Sequence, residues 1–458
     1  MKLKNCLKSY DFTFLIGVLP KDNRGKHNNR PHAFTEDAKN AIFEHIKSYR
    51  GRKSHYSLHD SRKLYLPDTL NVQKMHEHFT QQYPNQHCSY ESYRKVFVEK
   101  FNISFGYPRK DTCSTCDELK TKIDHFKAAQ RNGDASVETA QNLQEAQEAK
   151  TSHLEDQKYF YERKNTAAEN SKGRSNTFAV AFDFWKNLPC PNVTTSEVYY
   201  KRQLSIYSFN IHVLTTNDVY IYFYNETEGK KRADDVCSML LHFCENHVPE
   251  EVTEMYFFCD GCAGQNKNWT VFRFMHYLVH EKKRFKTVKM TFPVTGHSYM
   301  ECDKDIGLVK QTTPTHVPDD WKDVIVQARK RPSPFNVIPF DHTNFFSYTK
   351  FLRSKYRITC PVQTRPIHEL KFEESQPEFM LYRSNWNGQF FSADVRKKKK
   401  SSPPENVELE PSYPQRLAIS DAKYSDLQSL KKFCDVTKQS FYDALQKSST
   451  EDQEDTIY

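Results

Sequence analysis

Two sets of residues in this 458-residue chain have types and spacing that could do chemistry. The first is acidic. Tyr256-Phe-Phe-Cys259 is an apolar run that stops on Asp260, and Phe178-Ala-Val-Ala-Phe182 alternates and stops on Asp183. Further along, Gly296-His-Ser-Tyr-Met-Glu-Cys-Asp-Lys-Asp305 supplies Glu301, Asp303 and Asp305. Carboxylates held close together repel unless a cation lies between them or one is protonated. Hard oxygen ligands suit Mg²⁺ or Mn²⁺, and three acids would let two ions sit roughly 3.5–4 Å apart across a phosphodiester. Asp303 is the first choice for the third acid, with Asp305 and Glu301 behind it. His297 could orient water or contact a phosphate, although a lone loop histidine is more often a hydrogen-bonded surface residue.

The second set is Asp111-Thr-Cys-Ser-Thr-Cys-Asp117, where Cys113 and Cys116 stand at the spacing of two thiolates on one tetrahedral zinc. A structural site wants four ligands, and no second Cys-x-x-Cys follows. His125 and His153 are the nearest candidates, His153 brought back by a helical hairpin. The plain alternative is a reduced pair of cysteines at a helix entry.

These residues need elements to position them. Gly261 and Gly264 allow a tight turn after Asp260, and Asn266 or Asn268 can cap a helix through Trp269, Phe272, Met275 and Val279. Leu204–Leu214 and Val219–Tyr224 read as an antiparallel hairpin, a helix follows from Asp234 or Asp235, and Val288–Phe292 reads as a fifth strand. Three strands on short connections, then helix, strand, helix and strand, predict a mixed sheet flanked by helices. This is the order of the RNase H-like fold, in which the first and fourth strands are neighbours. Asp183 and Asp260 are then neighbours too.

Upstream, three short helices are expected between Phe34 and Phe101, the third capped by Ser89 and carrying Arg94, Lys95 and Lys100. They fit a helix-turn-helix reader of DNA or an ordinary small bundle with surface lysines. The expected organisation is a basic amino terminus (1–31), a helical region (32–165), an α/β domain (176–331), an appended α+β module (332–395), a basic Pro-containing linker (396–415) and a final helix with an acidic tail (416–458). A polar stretch at 165–176 marks the boundary before the sheet.

The balance of 67 Lys+Arg against 58 Asp+Glu, a net +9, favours an acidic partner such as DNA. Lys267 beside Asp260 could hold a phosphate at a helix amino terminus, and Lys282, Lys283 and Arg284 extend a basic patch. Twelve cysteines without a disulfide rhythm point to a reducing compartment. No apolar run approaches the ~18 residues of a membrane span. Arg396-Lys-Lys-Lys-Lys400 reads as a nuclear import signal or a solvated linker, so the expected location is the nucleus and otherwise the cytoplasm. The composition leaves room for a homo-oligomer.

Phe182-Asp-Phe-Trp185, Cys259-Asp-Gly-Cys-Ala-Gly-Gln-Asn-Lys-Asn268 and Gly296–Asp305, with Lys53-Ser-His-Tyr56, Phe101-Asn-Ile-Ser-Phe105 and Asp111–Cys116 upstream, together resemble a largely uncharacterised family of animal proteins derived from mobile elements. That family is similar to DNA transposases with an RNase H-like core. The resemblance implies a three-acid nuclease and strand-transfer site at Asp183, Asp260 and Asp303. It equally implies host-retained copies, so a catalytically inactive DNA- or chromatin-binding protein is the alternative.

Overall fold

The computed structural model describes residues 36–49, 52–53, 64–67, 70–86, 88–106, 113–133, 136–397 and 407–448. The expected basic amino terminus, Ser54–Tyr56, Asp111–Thr112, Lys398–Lys400 of the import signal and the acidic tail lie outside the described residues. Two compact units divide at Asp111 and Thr112.

The first unit packs α1 (Glu36–Ser48), α2 (Val72–Gln82) and α3 (Tyr90–Lys100) around Ile42, Ile46, Met75, Phe79, Tyr93 and Phe97. Ser89 caps α3 as its sequence predicts, its hydroxyl accepting from Ser92 N at 3.3 Å. The region is not all-helical, however. Arg52–Lys53 (β1), Leu64–Leu66 (β2) and Ile103–Phe105 (β3) form a small sheet, antiparallel then parallel. Strands of two or three residues are too short to print a period of two in the sequence.

The second unit opens with a helical hairpin, α4 (Ser114–Arg131) and α5 (Val137–Gly173), and Gly133 occupies the left-handed region (φ 95°) at its turn. The polar stretch expected to separate domains is partly helical, because α5 runs on to Gly173. Burial explains this: Phe160 and Ala167 of α5 pack on Ala179, Ala181 and Phe258 of the sheet. A helix with so narrow a buried stripe reads as a linker by composition.

The sheet holds ten strands among the described residues, in the order β10-β7-β6-β4-β8-β9-β11-β12-β13, with β5 (Leu188–Cys190) paired antiparallel to β6. Its centre is β4 (Thr177–Phe184), antiparallel to β6 (Leu204–Val213) and parallel to β8 (Glu254–Cys259). Beyond β6 lies β7 (Val219–Asn225), antiparallel, and beyond β8 lies β9 (Thr287–Thr291), parallel. Alternation along β4 sends Val180 and Phe182 into the core under α6 (Ala233–Asn246) and α7 (Trp269–His280), while Ala179 and Ala181 meet α5. The small alanines let that helix lie close, and each buried phenylalanine on the opposite face contributes about 1.5–3 kcal/mol. Asp183 continues the alanine row.

The stretch expected as an appended module belongs to the same sheet. β10 (Asn336–Pro339) adds in parallel beside β7, and β11 (Glu369–Glu373) adds antiparallel beside β9. β12 (Phe379–Arg383) and β13 (Phe391–Asp394) pair as an antiparallel hairpin. The aromatics of this stretch make no separate core: Phe340, Phe345, Tyr348 and Tyr356 join the main core, and Trp386 packs with Phe160 and Phe258. Two further helices, α8 (Glu301–Leu308) and α9 (Pro318–Ala328), follow β9. Trp321 of α9 packs with Leu427 and Tyr442 from the carboxyl-terminal helices. No helix among the described residues is long and apolar enough to cross a membrane.

Candidate functional site

Register brings the first two acids together. The last pair between the parallel neighbours β4 and β8 is Phe182 with Cys259, so Asp183 and Asp260 are the next residues on adjacent strands. Asp183 Oδ1 accepts from Phe184 N at 2.7 Å. Asp260 Oδ1 accepts from Asn266 Nδ2 at 2.6 Å and from Cys262 N at 3.2 Å. The turn after Asp260 does not rest on glycine: a Cβ at Gly264 would meet nothing within 4 Å, and one at Gly261 only ordinary contact with Lys267. It rests on the Cys262 carbonyl, which accepts from the amides of Asn266 (2.8 Å) and Lys267 (2.9 Å). The two asparagines divide the work, Asn268 capping α7 and the fully buried Asn266 holding the acid.

Three acids follow β9, and the structure gives them three different surroundings. Asp303 lies in the first turn of α8, where its Oδ2 accepts from Met300 N at 2.9 Å. Glu301 receives Lys164 Nζ on both oxygens at 2.7 Å. Burial pushes Glu301 up, but the Lys164 charge and its hydrogen bonds, with the backbone bond at Glu301, together outweigh it and hold the carboxyl below its usual range. Asp305 is buried and accepts from His212 Nδ1 (2.8 Å) and Asn210 Nδ2 (3.0 Å), with Arg329 at 3.9 Å. Two residues along an α-helix turn a side chain by about 200°, so Asp303 and Asp305 leave α8 on nearly opposite sides.

Electrostatics single out Asp303 as the third member. Burial raises Asp183 well above the ordinary carboxyl value, and the charges of Asp260 and Asp303 raise it further. Burial also raises Asp303, again with Asp260 adding to it. In Asp260 burial wins over the hydrogen bonds from Cys262 and Asn266 and over the Lys267 charge. Each carboxyl is thus held up by its burial, and the charges of the set repel one another. Among the described residues the acids do not make up a group close enough to hold a metal ion, whereas a second set does.

That second set is Cys113, Cys116, His153 and His297, whose ligand atoms all lie within 4.8 Å of one another and which could hold a metal ion. Cys113 and Cys116 sit at the mouth of α4, His153 in the middle of α5, and His297 in the loop between β9 and α8. Cys113 Sγ lies 3.3 Å from His153 Nε2, Cys116 Sγ 3.4 Å from His297 Nε2, and the two Nε2 atoms 2.9 Å apart. Burial, then the neighbouring Cys113, push the Cys116 thiol up to about 12. His153 returns along the hairpin as expected, but His125 does not join. It is exposed on α4, and at 1.5 Å rise per residue it lies about 13 Å beyond Cys116. The fourth member is His297, fully buried, not a surface group orienting water or phosphate.

The candidate DNA-binding cations also divide. Lys267 is buried against Phe292, donates to the Arg365 carbonyl at 2.8 Å and is pushed down to about 8 by burial, so it does not lie on an open surface. Arg284 donates to the carbonyls of Cys244, Val248, Pro249 and Val252, a clamp that leaves little for phosphate. Lys282 pairs with Glu245, while Lys283 is exposed. In the first unit Arg94, Lys95 and Lys100 are exposed along α3, with Glu91 and Glu99 3.8 and 3.9 Å from the first two. Lys231, which the sequence reading passed over, lowers Asp183 by its charge.

Residues 210–382 match a family described as a domain of unknown function (DUF7869). The matched stretch contains Asp260, His297 and Asp303 and leaves out Asp183, Cys113, Cys116 and His153. No curated protein matches the chain.

Proposed function

We propose that this protein is a metal-dependent DNA nuclease and strand transferase of transposase type, built on an RNase H-like core and derived from a mobile element. The observation that carries the reading is the register of β4 against β8, which sets Asp183 beside Asp260 at the carboxyl ends of neighbouring parallel strands, where open α/β sheets place their chemistry. The strand order β7-β6-β4-β8-β9, antiparallel then parallel, supports the RNase H-like assignment. Asp303 supplies the third carboxylate, and the mutual repulsion of the three is relieved by a cation. The donor set is all oxygen, which suits Mg²⁺ or Mn²⁺, and a bound ion would neutralise charge developing on phosphodiester oxygens. Asn266 holds Asp260 in place, and the Lys267 charge favours its ionised form. The exposed cations of α3 contact DNA phosphates, and the protein works in the nucleus.

A second reading is favoured by one specific observation: each acid already has a local hydrogen-bonding role, as partner of Phe184, Asn266 or Met300. Such a site suits a retained DNA- or chromatin-binding protein without turnover. Incubating the purified chain with Mn²⁺ and supercoiled plasmid separates the two. The nuclease reading expects nicking that disappears in Asp183→Asn and Asp260→Asn. Plasmid that stays supercoiled, or nicking that survives both substitutions, overturns it.

A further inference from the structure

The four residues of the Cys/His set come from three separate places in the chain, yet they point inward at one another. Zn–S bonds of about 2.3 Å and Zn–N bonds of about 2.0–2.1 Å give tetrahedral edges of roughly 3.3–3.8 Å. The observed thiol–imidazole separations of 3.3 and 3.4 Å match those edges, and the imidazole pair at 2.9 Å is a few tenths shorter. Two sulfurs and two imidazole nitrogens in a closed, buried set are the chemistry of a structural zinc site, with no position left open for substrate.

A second observation concerns the loop that delivers His297. Gly296 has φ +83°, and a Cβ there would lie 2.8 Å from Cys113 Sγ. Only glycine both adopts that backbone and lets the loop press against the thiol. The same loop is tied to α5 beyond the cluster: Tyr161 OH donates to the carbonyls of His297 (3.4 Å) and Tyr299 (3.1 Å), and Lys164 pairs with Glu301. His153, Tyr161 and Lys164 recur at helical spacing along one face of α5, so a row of contacts runs from the cluster to the start of α8. Asp303 is two residues past the last of them.

We infer that Cys113, Cys116, His153 and His297 bind a single zinc ion, and that this ion clamps the 295–301 loop against α5 and so sets the position of Asp303. The zinc site stands without the nuclease reading. The consequence for catalysis rests on that reading, because it takes Asp303 as the third acid.

The test uses the full chain purified without added metal, with zinc content measured by mass spectrometry and backbone hydrogen exchange followed over 295–305. Wild type and His125→Gln should carry about one zinc per chain. Cys116→Ser and His297→Gln should carry almost none. Chelating zinc from folded wild type, which avoids variants that fail to fold, should speed exchange across 295–305 while β4 and β8 stay protected, and added zinc should reverse it. Zinc-free wild type, a Cys113–Cys116 disulfide in its place, or zinc retained in His297→Gln overturns the site. Zinc loss with unchanged exchange at 295–305 overturns the positioning role. Failure of the nuclease reading shows elsewhere, as a zinc-loaded, protected protein that does not nick plasmid.

Discussion

The acidic set and the Cys/His set lie in the same unit and are both candidates for metal, but they are assembled by different means. Asp183 and Asp260 stand together because two strands pair in parallel, and strand pairing fixes neighbours residue by residue. Cys113, Cys116, His153 and His297 stand together because a helix mouth, a helix middle and a loop dock on one another. The acids each have a hydrogen-bonding partner close in sequence, whereas the thiols and imidazoles meet partners from other elements. On the proposed reading the first set needs a cation to relieve its repulsion, while the second is already closed on itself. Hard oxygen and softer sulfur and nitrogen donors would then keep the two from competing for the same ion.

The largest effect that would break this comparison concerns two acids of one helix. In Mn²⁺-supported nicking, Asp303→Asn should lose several kcal/mol of charge stabilisation, about 10²–10³-fold in rate, while Asp305→Asn should stay within about tenfold of wild type. Equal losses would mean that α8 does not sort them. Denaturant unfolding should rank the same positions in reverse. Asp305→Ala leaves His212 and Asn210 without their buried acceptor and Arg329 without its nearby carboxylate and should cost about 3–5 kcal/mol, whereas Asp303→Ala loses a single helix-end hydrogen bond and should cost about 1 kcal/mol.

The response to pH tests both sets. Folding raises Asp183, Asp260 and Asp303 above the ordinary carboxyl value of 3.8, so without divalent metal their contribution to stability is full below about pH 4 and is lost as pH rises through the folded values. Melting temperature measured with Mg²⁺ or Mn²⁺ should therefore gain more at pH 7.5 than at pH 5, and Asp183→Asn should flatten that difference. Zinc retention at the Cys/His set should likewise fall with acid, because its ligands bind deprotonated. A metal-induced gain that is independent of pH would count against the acidic set as a cation site.

The smallest effect lies in the first unit. If α3 contacts DNA phosphates, Arg94→Gln, Lys95→Gln and Lys100→Gln should each reduce the slope of log affinity against log salt by about 0.9. Arg284→Gln should leave that slope unchanged and lower the melting temperature instead, since its guanidinium is committed to four carbonyls. A salt slope insensitive to α3 would remove the phosphate contacts from that helix.

Much of the architecture was legible because it is local. Alternation in Phe178–Phe182, the apolar run ending at Asp260 and the Ser89 cap depend on neighbours within a few residues, and the strand and helix order they define predicts that Asp183 and Asp260 meet. Two of the proposed zinc ligands were legible as well, from the spacing of Cys113 and Cys116, and His153 followed from the hairpin. Gly261 and Gly264 misled, since the turn is closed by the Cys262 carbonyl and Asn266, groups whose partners a composition rule does not name. The stretch 332–395 misled too, because aromatics that join a neighbouring core and aromatics that fill a small core of their own look alike in sequence.

What the sequence by itself determined is the succession of elements and the residues at their ends, since backbone propensity and hydrophobic period act over short range. What only the tertiary structure decided is which of Glu301, Asp303 and Asp305 faces the strand ends, that His297 and not His125 completes the Cys/His set, and that Lys267 is buried instead of facing solvent. Each of these choices is made by packing between segments distant in the chain, such as Lys164 against Glu301, Cys113 against Gly296 or Lys267 against Arg365. A side chain's chemistry is written in its type, but its partners are set by which distant surface closes over it.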